Sequence, residues 1–260
     1  MTKARILLIV SVLLFLFVFY LNVSKEDVSD QPQPTTEATV LRNTYNPEAF
    51  YTDDGFLRYR DAPHMVGMDV SVYQGIIDWE TAADSGVEFV IIRAGYRGST
   101  EGLLYEDEQF RYNLQGAKDA GLKVGVYLFS QAITPEEAEE EAEFVLSLLD
   151  GVDLELPVFF DWEYLDGRAS HVNGETLTLC AQHFCRRIEK LGYQAGVYFN
   201  QTFGEAFFDL RQLKDYTLWL AEYNRVPGFP YHFDCLQYTD SGTVPGIEEK
   251  VDLDILWLPQ

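Results

Sequence analysis

A unit of helix, glycine and strand recurs along this chain, and the repeat allows few folds. In each copy a glycine follows a helical stretch, and a β-rich run begins within a residue or two. The copies are SGVEFVIIRA (85–94), AGLKVGVYLF (120–129) and LGYQAGVYFN (191–200). Glycine tolerates the left-handed conformation that ends a helix. One period fits one βα unit, and continuous apolar strands alternating with helices predict a parallel sheet that is covered on both sides.

Eight segments of the chain are predicted to be strands, and residues 134–149 and 173–192 have helical patterns. The strands are 66–71, 88–94, 123–129, 157–163, 194–199, 217–223, 233–238 and 251–256. Eight strands with helices between most of them predict an α/β fold, an irregular TIM-like (β/α) barrel. The irregularity is expected near the C-terminal end, because the intervals 224–232 and 239–250 are too short for crossover helices.

The N-terminal segment differs from the rest of the chain. Residues 6–23, ILLIVSVLLFLFVFYLNV, are uncharged and long enough to cross a bilayer. Basic residues precede the run and acidic residues follow it, so the positive-inside rule puts residues 1–5 in the cytoplasm. No small-residue cleavage motif ends the run, and we interpret it as an uncleaved transmembrane signal anchor of the cell membrane. A cleaved signal peptide, and therefore a secreted protein, is the alternative.

Three regions follow the predicted anchor. Residues 24–45 are polar, contain Pro, Thr and Gln, and are expected to be a flexible extracytoplasmic linker. Residues 46–64 contain several aromatic residues and form a lead-in segment that can pack on the domain edge. Residues 65–260 make up the predicted barrel, which we expect to be monomeric.

Charge and composition exclude several classes of ligand. Asp and Glu number 42 against 19 Lys and Arg, which gives a formal net charge of -23. Such a surface repels phosphate backbones, so nucleic acid is not an expected partner. The cysteines lack a C-x-x-C motif and the histidines are scattered, so neither a metal site nor a cofactor is predicted. Cys180, Cys185 and Cys235 are expected to be reduced and buried.

Carboxylates stand at the ends of predicted strands, where the active sites of such barrels lie. In PVFFDWE, Asp161 and Glu163 are two positions apart and project to the same face of the strand. Phe160 and Trp162 then point to the surrounding helices. Two acids on one face are costly to bury unless they are used, so this pair is the first candidate for catalysis.

The first and last strands carry further acids. Asp69 lies on the first strand, and Asp252 and Asp254 lie on the last. Because these strands are neighbours in a closed barrel, Asp69 and Asp252 can approach each other. Asp254 is interpreted as a structural acid that accepts hydrogen bonds.

Aromatic residues gather at or near the same strand ends: Tyr127, Phe129, Tyr198, Trp219, Tyr223 and Tyr238. Sugar rings have apolar faces and hydroxyl edges, so aromatic rings beside carboxylates suit a polysaccharide groove.

Three motifs in order give the chain a family resemblance: GMDVSVYQGIIDW, PVFFDWE and LQYTDSGTVPGIEEKVDLDIL. Together with FVIIRAGY and LWLAEY, they resemble the family 25 glycoside hydrolases, muramidases of the Cellosyl or Chalaropsis type, over residues 65–257. The resemblance implies an irregular barrel that hydrolyses the β-1,4 bond between N-acetylmuramic acid and N-acetylglucosamine in peptidoglycan. It assigns Glu163 as general acid, with Asp69, Asp161 and Asp252 around the scissile sugar. We add Arg93 and Gln237, which lie within the matched motifs, to the expected substrate-binding residues.

Two neighbouring acids also fit this chemistry. Glycoside hydrolysis needs a protonated acid at the leaving oxygen and negative charge near an oxocarbenium-like transition state. Side-by-side carboxyls favour Glu163 as proton donor while Asp161 orients the acetamido group of the substrate, which predicts retention. An inverting route with Asp69 or Asp252 as base stays open.

Three alternatives compete with this interpretation. A chitinase-like N-acetylglucosaminidase also uses a D-x-E pair, but with further acids upstream that are absent here. An inactive module that binds wall glycans is disfavoured by the presence of all four acids. A serine hydrolase would need a G-x-S-x-G motif, which the chain lacks.

Overall fold

The computed structural model describes residues 39–258, in which a closed eight-stranded α/β barrel is preceded by a β-hairpin. The predicted anchor at 6–23 and residues 24–38 of the predicted linker lie outside the described residues. Among residues 39–258, no helix combines the length and hydropathy that a membrane span requires.

The described part of the chain has eleven strands, and all eight predicted strands are found, with bounds that differ by a few residues. The strands are β1 (Phe50–Asp53), β2 (Phe56–Tyr59), β3 (His64–Val70), β4 (Phe89–Arg97), β5 (Leu104–Glu106), β6 (Lys123–Ser130), β7 (Val158–Trp162), β8 (Ala195–Asn200), β9 (Thr217–Ala221), β10 (Cys235–Gly242) and β11 (Val251–Trp257). The hairpin strands β1 and β2 and the short β5 were not predicted.

Seven barrel strands are parallel, in the order β3, β4, β6, β7, β8, β9 and β10. The last strand, β11, lies antiparallel to both β10 and β3 and closes the barrel. The connection from β10 to β11 is too short for a crossover helix, so the chain turns back directly. The irregularity expected at the C-terminal end of the barrel is therefore confirmed.

The helices of the described residues are α1 (Trp79–Asp84), α2 (Phe110–Asp119), α3 (Pro135–Leu149), α4 (Gly174–Lys190) and α5 (Gln201–Ala206). Local sequence explains their ends. Thr134 accepts a hydrogen bond from the Glu137 backbone N–H at the start of α3, and Asn173 caps α4 in the same way. The repeat glycines, Gly86, Gly121 and Gly192, have φ values of 99°, 78° and 90°. The glycine stops inferred from the repeat are thus confirmed.

Alternation along the strands separates two layers of core. Phe159 points into the barrel against Trp219, whereas Phe160 packs on Phe184 of α4. Trp162 likewise points outwards, where its ring lies 5.5 Å from that of Phe203. The next inward position after Phe159 is Asp161, so the alternation places a carboxyl inside the barrel. The three cysteines are free and buried, as expected.

Residues just before the lead-in segment cover the end of the barrel opposite the active-site loops. Tyr45 lies between the rings of Phe233 and Trp257, with centroids 5.0 and 4.2 Å away. Asn43 donates to the carbonyl oxygens of residues 229 and 230. Residues 41–45, which the sequence assigned to the flexible linker, therefore pack with the barrel.

Candidate active site

The C-terminal ends of the parallel strands surround a cavity of about 200 Å³. The four proposed acids, five of the six strand-end aromatic residues (all but Tyr238), Arg93 and Gln237 line it: Asp69, Arg93, Tyr127, Phe129, Asp161, Glu163, Tyr198, Trp219, Tyr223, Gln237 and Asp252. Their convergence is a fact of the structure, whereas their individual roles stay predictions. Ser71, Tyr73 and Gln74, from the loop after β3, complete the lining and were not anticipated.

The acid pair at the end of β7, Asp161 and Glu163, lines this cavity. Asp161 is buried, and its Oδ1 atom has no hydrogen-bond partner. Glu163 lies one residue beyond the end of β7 and is half-buried. The buried Gln131 side chain donates from Nε2 to the backbone oxygen of Glu163 at 2.8 Å. That bond fixes the backbone that carries the more accessible acid.

Asp69 and Asp252 meet across the barrel closure, as predicted, because they are register partners of the antiparallel β3–β11 pair. Gln237 of β10 donates from Nε2 to Asp69 Oδ2 at 2.7 Å. The Gln237 Oε1 atom accepts from the hydroxyls of Tyr198 at 3.0 Å and Tyr223 at 3.2 Å. Gln237 therefore joins two tyrosines to a carboxyl and sets the position of all three groups.

Asp254 lies inside the barrel beneath Asp69. It is fully buried, its Oδ1 accepts from Trp219 Nε1 at 2.8 Å, and its Oδ2 has no hydrogen-bond partner. The Asp69 carboxyl is its acidic neighbour. The sequence interpretation as a hydrogen-bonded structural acid is close to this, but the donor is an indole N–H and a second acid is the neighbour. Asp254 thus supports the cavity floor from below.

Arg93 is the basic side chain among the cavity-lining residues. Its Nε donates to Asp107 Oδ2 at 2.7 Å, and both groups are buried. Asp107 also accepts from the backbone N–H groups of Val72 and Gln109, which ties the loop after β3 to β4. Sequence reasoning missed Asp107, because it lies in a loop before α2 with no strand-end pattern.

Burial and mutual repulsion keep protons on the carboxyls of the cavity. Burial, with the nearby Glu163 charge, raises the pKa of Asp161 well above its usual range, and Arg93 partly opposes this. Burial also raises the pKa of Glu163. For Asp252, burial and the charges of Asp240 and Glu163 raise the pKa to about 6. The cavity is therefore built to retain protons at a pH where free carboxyls have lost them.

The pKa values of Asp69 and Asp254 are raised as well. Burial, followed by the charges of Asp254 and Asp252, raises the pKa of Asp69 well above its usual range. Burial raises the pKa of Asp254 as well, against the hydrogen bond that Trp219 donates. Two adjacent buried carboxyls cannot both ionise cheaply, so one proton is shared between them.

The aromatic residues divide by exposure. Tyr223 is exposed, and Phe129 is half-buried. Trp219 is only 1% exposed, so it has little surface for a sugar ring and serves mainly as the cavity floor. Tyr238 lies outside the cavity, because its hydroxyl accepts from the Leu57 N–H of the hairpin. Tyr238 follows Gln237 directly in β10, so strand alternation turns the two side chains to opposite faces.

Within residues 39–258, no cluster of His, Cys, Asp or Glu has the arrangement of a metal site. The chemistry that these residues can perform is proton transfer and charge stabilisation by carboxyls. Their placement on a closed α/β barrel is typical of a glycoside hydrolase.

The sequence profile of Glycosyl hydrolases family 25 matches residues 68–247, which is more than half of the chain. The chain belongs to that family. A curated relative is the autolytic lysozyme of Clostridium acetobutylicum, which is 32% identical over 191 residues. That alignment covers 73% of this chain and 55% of the relative, so the chain spans about half of the relative's length.

Solved structures show the same fold. The autolysin LytC of Streptococcus pneumoniae, in complex with a synthetic peptidoglycan ligand, matches with a TM-score of 0.67 and 24% identity, covering 84% of this chain and 52% of LytC. A family 25 glycosyl hydrolase of Bacillus anthracis matches with a TM-score of 0.64 and 23% identity, covering 75% of this chain and 90% of that protein.

Proposed function

We propose that this chain is a muramidase, which hydrolyses the β-1,4 bond between N-acetylmuramic acid and N-acetylglucosamine in peptidoglycan. One observation carries the proposal: Asp161 and Glu163 meet Asp69 and Asp252 in a single cavity at the carboxyl ends of the barrel strands. Membership of family 25 and similarity to an autolytic lysozyme support the choice of bond. The substrate would be a glycan strand of the cell wall.

Glu163 is the proposed general acid, because it is the more accessible of the pair and can reach the glycosidic oxygen, and burial also raises its pKa. Its proton passes to the glycosidic oxygen as the bond from C1 to that oxygen breaks. The acetamido carbonyl oxygen of the same sugar then bonds to C1. Water opens this ring at C1 and returns a proton to Glu163, so the anomeric configuration is retained.

Asp161 supports this route because it lines the cavity beside Glu163, where its carboxyl can accept the N–H of the acetamido group. An ionised Asp161 would also stabilise the positive ring intermediate. The inverting alternative uses Asp69 or Asp252 as base towards a water molecule. Proton NMR of the first product separates the two routes, since a β product indicates retention and an α product indicates inversion. A thiazoline mimic of the ring intermediate should inhibit competitively only in the first.

The reaction itself is tested by digesting purified peptidoglycan and identifying the new reducing ends by mass spectrometry. Muramic acid at the reducing end supports the muramidase. Glucosamine there would instead indicate the chitinase-like N-acetylglucosaminidase. Wall glycan that is bound without cleavage would indicate an inactive binding module.

We also propose that residues 6–23 anchor the barrel to the outer face of the cell membrane, where it remodels the wall of its own cell. The proposal rests on the uncharged run and the charges that flank it. Fractionation of cells that express the full chain tests it: the protein should stay with membranes after a carbonate wash. Release of a shortened chain into the medium would instead support a cleaved signal peptide.

A further inference from the structure

Three exposed tyrosines lie together on one side of the catalytic cavity. Tyr73 is 74% exposed, Tyr105 is 40% exposed and Tyr96 is 36% exposed. They line one groove of about 790 Å³ together with Leu165, which is also exposed. Single exposed apolar residues are ordinary on protein surfaces, whereas a contiguous group in a concave site indicates a ligand.

This tyrosine groove, formed by Tyr73, Tyr96 and Tyr105, is continuous with the catalytic cavity. Both are lined by Tyr73, Arg93 and Phe129. The catalytic cavity, at about 200 Å³, is smaller than the roughly 300–1,000 Å³ of typical ligand sites. A substrate longer than the part held at the acids therefore has an open path into the groove.

The rings of the tyrosine groove are held in place before any ligand binds. The Arg93 guanidinium lies 5.0 Å from the centroid of Tyr73 and 5.7 Å from that of Tyr96. Tyr96 stacks on Tyr105 with centroids 5.3 Å apart and an interplanar angle of 25°. Asp107 fixes the guanidinium from below through its 2.7 Å bond. Such preorganisation lowers the entropy cost of binding.

The backbone of the groove is also fixed. Arg97, at the end of β4, donates to the Gly102 carbonyl oxygen at 2.7 Å and to Glu141 Oε1 at 2.7 Å. Strands β4 and β5 approach so closely that a Cβ on Gly95 would lie 2.3 Å from the Tyr105 carbonyl oxygen. The paired strands β4 and β5 therefore hold Tyr96 and Tyr105 at a fixed distance from each other.

The lining selects the class of ligand. Flat aromatic faces with hydroxyl groups suit pyranose rings, which are apolar on their faces and polar at their edges. Glu101, Glu106 and Glu108 also line the groove, and their carboxylates can accept hydrogen bonds from hydroxyl and acetamido N–H groups. We propose that the tyrosine groove is a second sugar-binding site, which holds residues of the glycan strand adjacent to the scissile sugar. The identity of that strand rests on the proposed function.

Binding is tested with the full chain carrying Glu163→Gln, so that no cleavage occurs. The probes are peptide-free strands of alternating N-acetylglucosamine and N-acetylmuramic acid, eight sugars long, and the corresponding disaccharide. Tyr105→Ala and Tyr96→Ala should each raise the Kd of the long strand about 3- to 10-fold, and leave the disaccharide unchanged. Tyr112→Ala, at an exposed tyrosine on α2, is the matched control and should change neither Kd.

Further variants separate stacking from folding. Tyr105→Leu keeps apolar bulk but removes the ring face, and should weaken long-strand binding as Tyr105→Ala does. Tyr105→Phe keeps the face and should bind like the parent. An unchanged Kd for the long strand in the Leu variant overturns the proposal. A loss seen only with strands that carry stem peptides overturns it as well, because the groove would then hold peptide.

The experiments distinguish a failure of the muramidase proposal from a failure of the tyrosine-groove proposal. If the unmodified chain leaves peptidoglycan uncut while the tyrosine variants still lose long-strand binding, the muramidase proposal fails and the groove stands. If the chain cuts peptidoglycan and the tyrosine variants bind like the parent, only the groove proposal fails.

Discussion

At the scale of single residues, the two acids of β7 differ in accessibility, and this predicts different effects of their amide variants. Glu163→Gln keeps the shape but has no proton to donate, so turnover should fall roughly 10²-fold or more while glycan binding persists. Asp161→Asn should also slow turnover strongly, because its Oδ1 loses the charge proposed to stabilise the intermediate. Turnover of purified peptidoglycan and glycan affinity are the measurements.

Glu136→Gln provides the control for this pair, since Glu136 is an exposed acid in the first turn of α3. It should turn over like the parent. Full activity of Glu163→Gln on intact peptidoglycan would contradict the assignment of the general acid.

Asp254 carries a second prediction at this scale. Asp254→Asn keeps an acceptor for Trp219 Nε1 but removes the charge that raises the pKa of Asp69. The pKa of Asp69 should therefore fall, as followed by carbon NMR of its carboxyl. Asp254→Leu leaves the indole N–H buried without a partner, which should cost about 1–3 kcal/mol in urea unfolding. An unchanged pKa of Asp69 in the Asn variant would contradict the coupling.

The strand-end rule explains which site residues could be predicted from the sequence. Asp161 and Asp69 lie at inward positions near the ends of parallel strands, so periodicity alone directs them into one cavity. Gln131 and Asp107 act through contacts to backbone atoms of other segments, and no periodic pattern reports such contacts. Trp219 lines the cavity as predicted, but its ring is more deeply buried than a sugar-binding residue would be. Position along a strand does not reveal how deep a ring lies.

At the scale of elements, the repeat predicted the βα units well because each buries a continuous apolar strand. The β1–β2 hairpin and β5 were missed, since strands of three or four residues outside that repeat carry almost no pattern. The direction of β11 could not be read from its sequence either. Its side chains alternate between the inside and the outside of the barrel whether the strand is parallel or antiparallel to its neighbours. Only the short connection before it requires the antiparallel arrangement.

The contacts of Asn43 and Tyr45 predict where the chain can be shortened. Removal of residues 1–38 should leave a folded, active barrel, because the contacts of Asn43 and Tyr45 remain. Removal of residues 1–45 deletes the Tyr45 ring from between Phe233 and Trp257, and should cost about 3–5 kcal/mol of stability. Urea unfolding and peptidoglycan turnover of both proteins are the measurements. Equal stability of the two would show that the Tyr45 contacts contribute little.

At the scale of the whole molecule, the buried carboxyls make stability depend on pH in an unusual direction. Burial raises the pKa of Glu141 to about 7, although Ser130 and Arg97 donate to it. Asp252 has a pKa of about 6, and the pKa values of Asp69, Asp161 and Asp254 are raised well above the usual range. In the unfolded chain these groups ionise near pH 4. The folded state therefore binds more protons above pH 4, and its stability falls as pH rises.

Asp209 and the net charge of the chain also affect how stability depends on pH. The hydrogen bonds from Arg211 and Gln212, against burial, lower the pKa of Asp209 to about 2, so its contribution is lost only in strong acid. The net charge of -23 adds repulsion that grows as carboxyls ionise. We expect maximal stability near pH 5 and a Tm at pH 8 that is lower by roughly 5–10 °C. Calorimetry from pH 4 to 8 on the barrel tests this. High salt should remove only the part of the Tm decrease that comes from charge repulsion. Glu141→Gln should reduce the dependence of Tm on pH between pH 5 and 7. A Tm that rises up to pH 8 would contradict the role of the buried acids.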